Sequence, residues 1–138
     1  MITKILLAYD GSEPASHAYR FALDLAKTHR AELLVLAVAR LPEFAEDVET
    51  EAVIENSQKH YEKLLVPLGE EAASKGLTAR LEVAVGHPAE QIIYHAERNG
   101  VDLIVLGHRG KTRFQRLLVG SVTKQVMHYA ECPVLVVR

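Results

Sequence analysis

The chain has 138 residues, 49% hydrophobic and 25% charged, with a formal net charge of −2 and one cysteine, Cys132. That balance describes one globular domain over residues 1–138, long enough to bury roughly 68–70% of its unfolded surface. It excludes an internal disulfide, lacks the basic stripe expected of a nucleic-acid binder, and contains no apolar run near the ~18 residues of a membrane span. The opening residues are too short for a signal peptide and run straight into a strand, so a cytoplasmic location is expected.

Residues 5–9 form a first apolar run that ends at Asp10-Gly11-Ser12. Ser12 is suited to cap a helix, and Pro14 is tolerated in its first turn. Ala18, Ala22, Leu25 and Ala26 then mark one face of a helix reaching about residue 30. Residues 33–38 read as a second strand. Both runs are apolar on both faces, which fits parallel strands covered by helices on both sides. Residues 41–57 carry Glu43, Glu46, Asp47, Glu49, Glu51 and Glu55 without a basic residue. They read as a solvated loop and the acidic first turns of a helix, where the dipole favours carboxylates. The helix continues through Ile54, Tyr61, Leu65, Leu68 and Ala72, spaced by seven, four, three and four, with a kink expected near residues 63–66 because Pro67 follows. Gly76 ends it.

Residues 79–85 alternate strictly, with Leu81, Val83 and Val85 against Arg80, Glu82 and Ala84, so this third strand is expected at a sheet edge. Gly86-His87-Pro88 turns into a helix with Ile92, Ile93 and Ala96 inward, closed by Asn99-Gly100. The fourth strand is residues 103–106. A last helix over 121–129 leads to a last strand over 134–137. The order β-α-β-α-β-α-β-α-β gives an α/β fold: an open parallel sheet with right-handed crossovers and helices on both faces. Cys132 reads as an inert, buried thiol.

Ligands of such sheets sit at the carboxyl ends of the strands, where the strand order reverses. Two strand ends are built for that. One is Asp10-Gly11-Ser12; the other is Gly107-His108-Arg109-Gly110, followed after nine residues by Gly120-Ser121. Glycines let a backbone approach a bulky ligand, and a helix opening at Ser121 offers free amides and its dipole to an anion. Together they suggest a phosphate cradle. If the first and fourth strands are neighbours, Asp10 lies beside it, to accept from ribose hydroxyls, to hold a metal-bound water, or simply to cap the first helix turn or stabilise the Asp-Gly turn. Arg109 and Lys111 are placed to neutralise phosphate or to be plain surface charges. His108 either donates to a phosphate, stacks on a sugar, or is an exposed loop imidazole. Gly110-Lys111-Thr112 is not a P-loop, because that motif would need its first glycine where Val105 stands, and no dinucleotide fingerprint follows the first strand. The histidines at 17, 29, 60, 87, 95 and 128 show no metal-ligand spacing, and Ser12 and Ser121 lack a His-Asp relay.

These residues resemble the ATP-binding signature of the universal stress proteins. The resemblance covers residues 5–12, Gly86-His87-Pro88, residues 101–107 and 117–122, and the closing Cys132-Pro133-Val134-Leu135-Val136-Val137. It implies a Rossmann-like, five-stranded sheet in the order 3-2-1-4-5. It also implies ATP as ligand, with Mg²⁺ or Mn²⁺, and a stress-response role exerted through partner proteins. Asp10, with Gly11 and Ser12 beside it, would touch the ribose or the phosphate-bound metal. Val38 would meet adenine through its backbone. Gly107 would lie against the sugar and nearest phosphate, and Gly110, Gly120, Ser121 and Val122 would line the triphosphate. Serine is the usual residue after the first glycine; His108 replaces it here, with Arg109 following. The same order leaves the last strand at an apolar edge, which implies a homodimer formed through it. The alternatives are a slow ATPase or nucleotidyl-transfer enzyme, an AMP or cyclic AMP binder, or a nucleotide-free partner-binding module.

Overall fold

The computed structural model describes residues 1–41, 48–108 and 119–138, with backbone only at 48 and 49. In chain order the elements are β1 (Lys4–Ala8), α1 (Glu13–His29), β2 (Glu32–Arg40), α2 (Val48–Ser74), β3 (Ala79–Gly86), α3 (Pro88–Arg98), β4 (Leu103–Gly107), α4 (Ser121–Tyr129) and β5 (Val134–Val137). All four strand pairings are parallel, and the order is β3-β2-β1-β4-β5. The expected order and the edge position of β3 are therefore observed. The first strand begins and ends one residue earlier than the apolar run suggests. β2 extends to Arg40, because β3 pairs with it as far as Gly86.

Alternating side chains of the apolar strands feed two separate cores. Ile5, Leu7, Leu33, Val35, Leu103 and Val105 pack with Tyr19 and Leu23 of α1 and Leu65 and Leu68 of α2. Leu6, Leu34, Leu36, Ile104 and Leu106 pack on the other side with Ala89, Ile92 and Ala96 of α3 and Val126 of α4. Each helix therefore needs only one apolar stripe, and the strands need apolar residues throughout.

The helices are tied down locally. Tyr19 Oη donates to the Leu68 carbonyl, joining α1 to α2. Burial, then the nearby charges of Glu71 and Tyr9, push its phenol up to about 12. α2 does not end at Pro67. Proline cannot serve the carbonyl four residues back. Lys63 and Pro67 are both exposed, so water can take the missing amide's place. At the amino end of the sheet, Asp102 Oδ2 accepts from Thr3 N at 2.8 Å, Thr3 Oγ1 at 2.8 Å and Lys4 N at 3.0 Å. The Thr3 amide, then its hydroxyl, then the Lys4 amide hold this carboxyl below the usual carboxylate range. The contact pins the start of β1 to the start of β4, leaving the opposite, carboxyl ends to form the site. Among the described residues, no helix is long and apolar enough to cross a membrane.

Candidate functional site

β1 ends in a tight turn. Asp10 Oδ1 accepts from Ser12 N at 2.9 Å, and Gly11 sits at φ +84°, where a side chain is strained. Ser12 caps α1 as expected: its Oγ accepts from Ala15 N at 3.2 Å, and its carbonyl accepts from Ser16 N at 3.0 Å. The start of α1 therefore uses its own donors, and Glu13 further offsets its dipole. Asp10 stabilises the Asp-Gly turn, as one of its sequence readings held. Its Oδ2 makes no hydrogen bond among the described residues.

The start of α4 is different. Its N-cap is Gly120, which has no side chain to accept from the first turn, and that turn contains no acidic residue. The first helical bond is Lys124 N to the Gly120 carbonyl at 2.9 Å. The amides of Ser121, Val122 and Thr123 have no acceptor among the described residues. Thr123, itself buried, donates from Oγ1 to the Gly107 carbonyl at 3.4 Å, which joins this helix start to the end of β4.

Gly107 is required for a reason that its spacing does not reveal. A Cβ there would lie 2.6 Å from both C and O of Pro14 and 2.9 Å from Ala15 N. The end of β4 thus runs directly against the backbone that opens α1. Next along the chain, His108 corrects one sequence reading. It is not an exposed loop imidazole: the residue is 6% exposed, and its amide donates to the Val137 carbonyl at 2.7 Å. It prolongs the β4–β5 ladder, and its side chain lies inside the fold.

These strand ends and helix starts surround a cleft of about 390 Å³, a size typical of small-molecule sites. Asp10, Ser12, Val38, Gly107, Gly120, Ser121 and Val122 line it, so seven of the eleven residues singled out in the sequence meet at one cavity. Gly11 and His108 do not line it: one faces Leu64, and the other is buried beside β5. Arg109 and Gly110, with Lys111, lie outside the described residues, as do Glu43, Glu46 and Asp47. The lining of the cleft is mixed. Leu36 and Val38 of β2, Ile92 and Pro88 of α3 and Tyr61 of α2 make its apolar part. Asp10, Gly107 and the start of α4 make its polar part. Because β1 separates β2 from β4, the strand ends that carry Val38 and Gly107 sit roughly 9–10 Å apart.

Tyr61, Arg40, Pro88, Ile92 and Thr123 also line the cleft and were not recognised as site residues in the sequence. Tyr61 and Ile92 carry helical spacing that reads as core. Arg40 had a usable signal, since it follows Val38 by two and so shares its face of the strand. Cys132 is half-buried, and burial raises its thiol pKa, consistent with an inert group.

The model of the universal stress protein family matches residues 1–138. Universal stress protein YxiE of Bacillus subtilis is 37% identical over 153 aligned positions, covering 100% of both chains. Among solved structures, universal stress protein UspA from Lactobacillus plantarum has a TM-score of 0.90 at 27% identity, covering 99% of this chain and 98% of that one. Protein MJ0577 of Methanocaldococcus jannaschii has a TM-score of 0.88 at 30% identity, covering 99% and 96%. Two more distant structures share the fold. One is a universal stress protein in complex with cAMP (23% identity, TM-score 0.78, 99% and 97% covered). The other is the Archaeoglobus fulgidus protein in complex with dAMP (21%, 0.66, 100% and 98%). With matching strand order, full-length similarity and a family model spanning residues 1–138, the chain belongs to the universal stress protein family.

Proposed function

We propose that this single-domain chain is a cytoplasmic, ATP-binding member of the family, a nucleotide-dependent regulatory module of the stress response. One observation carries the reading: the uncapped start of α4 faces the same cleft as Gly107, with an apolar part at the end of β2. Three amides without an acceptor among the described residues, at a positive helix end, suit a polyphosphate, and a greasy slot two strands away suits a purine. Val38 and its apolar neighbours take the base, and Asp10 takes the ribose. Gly107, Gly110, Gly120, Ser121 and Val122 take the phosphates, with Arg109 as counter-charge. Gly11 and Ser12 shape the turn that presents Asp10, and His108 holds the end of β4 to β5. The cAMP and dAMP complexes of the related proteins support an adenine nucleotide as the ligand class.

The described residues hold no group of three His, Cys, Asp or Glu side chains that would cage a metal ion. Mg²⁺ typically keeps several waters and is held by one or two carboxylates together with substrate phosphates. Asp10 Oδ2 suits that role for Mg²⁺ or Mn²⁺ arriving with the nucleotide, directly or through water. Binding then shifts the population of states that partner proteins meet, without requiring hydrolysis. Calorimetry with ATP, ADP, AMP and cyclic AMP, each with and without Mg²⁺, tests this. Saturable ATP binding strengthened by Mg²⁺ is expected. If no adenylate binds at millimolar concentration, the reading fails.

The reading extends to a homodimer. β5 lies at the sheet edge, and its four residues are apolar and half-exposed. An unpaired edge of that kind pairs with a second copy. Truncation after Cys132 is expected to give a monomer or an aggregate in sedimentation velocity. A truncated chain that remains a well-behaved dimer would contradict the assignment.

A further inference from the structure

We infer that Tyr61 is the wall against which the purine ring stacks, and hence the base-selecting residue of the cleft; this rests on the nucleotide reading above. Tyr61 is the side chain that α2 contributes to the cleft among the described residues. It is half-buried and packs against the core on the α1–α2 side of the sheet. Ile92 belongs to the core on the opposite side, and Pro88 opens the same helix. The space above Leu36 and Val38 is thus bounded by an aromatic ring from one layer and aliphatic groups from the other. Those are the walls a flat heterocycle needs.

Two further observations favour a ligand role over simple packing. The ring of Tyr61 contacts His60 edge-on, with centroids 5.4 Å apart and an interplanar angle of 69°, and makes no face-to-face ring contact among the described residues. Its hydroxyl has no hydrogen-bond partner among them, whereas a buried tyrosine that serves as a polar anchor usually has one. The ring is therefore available, and the hydroxyl is dispensable. Stacking on an aromatic ring tolerates any base, but it strengthens with the size of the π-face, so purines gain over pyrimidines.

The test compares ATP, CTP and inorganic tripolyphosphate by calorimetry on the wild type, Tyr61→Phe and Tyr61→Leu. Leucine keeps apolar bulk and removes the ring. Tyr61→Leu is expected to weaken ATP about tenfold and to narrow the gap between ATP and CTP, with tripolyphosphate unchanged. Tyr61→Phe is expected to keep wild-type ATP affinity. The chain has five tyrosines and no tryptophan, so tyrosine emission gives a second readout. AMP is expected to quench part of the wild-type emission, and that quenching is expected to shrink in Tyr61→Phe although AMP still binds, the remainder coming from Tyr9, which also lines the cleft. Wild-type ATP affinity in Tyr61→Leu would overturn the assignment of Tyr61 alone. A wild-type chain that binds tripolyphosphate but no nucleotide better than it would overturn both this assignment and the nucleotide reading.

Discussion

Replacing Gly107 with alanine is expected to destabilise the protein by about 1–3 kcal/mol, the usual cost of forcing an extra methyl into a filled site. The neighbours that a Cβ would strike are the backbone atoms of Pro14 and Ala15, not the end of a flexible side chain. They cannot rotate away, so the start of α1 and the end of β4 must separate. For a domain of this size, each kcal/mol lowers Tm by roughly 3–5 °C, readable by circular dichroism. The same displacement would pull the Gly107 carbonyl from Thr123 Oγ1 and spread the two halves of the polar part of the cleft. ATP affinity is therefore expected to fall along with Tm. An unchanged melting curve would show that the close approach of β4 to α1 is not what the glycine serves.

Gly120→Val separates ligand from fold. Gly120 adopts φ −58° and ψ 151°, extended backbone open to a β-branched residue. The helix itself should therefore survive, with Tm changed by only a few degrees, since valine is a poorer N-cap than glycine. The branched side chain would, however, stand beside the first-turn amides of α4 and keep a phosphate from them. Losing one or two charge-assisted hydrogen bonds is worth about 2–3 kcal/mol, so ATP affinity is expected to fall roughly 30- to 150-fold. Calorimetry beside a thermal melt reads both quantities. Affinity within about threefold of the wild type would mean that the phosphates lie elsewhere.

The contrast between the two glycines shows what could be read in the chain. Apolar strand runs, Ser12 as a cap, and the limits of α4 and β5 follow from local rules, and all appear in the fold. The strand order rested on the resemblance to a family, because register between strands far apart in sequence leaves no local mark. Convergence of Asp10, Gly107 and Gly120–Val122 was legible once β1 and β4 were neighbours. The reason for Gly107 was not: it depends on Pro14, which reaches it only through tertiary packing. Tyr61 was hidden for the opposite reason. Its helical spacing with Leu65 and Leu68 is true core spacing, and only the position of α2 relative to the strand ends brings its ring to the cleft. His108 looked like a loop residue because its burial comes from the ladder extended to Val137, and Asp102 carried no motif for the clamp it makes on Thr3 and Lys4.

The central claim is that the open end of α4 and the end of β4 converge on one polyanion. Backbone ¹H–¹⁵N shifts during titration of the intact protein with Mg²⁺–ATP test it most directly. The account predicts that the largest changes fall on the amides of Ser121, Val122 and Thr123 and on Gly107, with tripolyphosphate reproducing those shifts but not the ones at Val38. Shifts confined to Arg80 and Glu82 of β3 and His95 of α3, which do not line the cleft, or none at millimolar nucleotide, would contradict it.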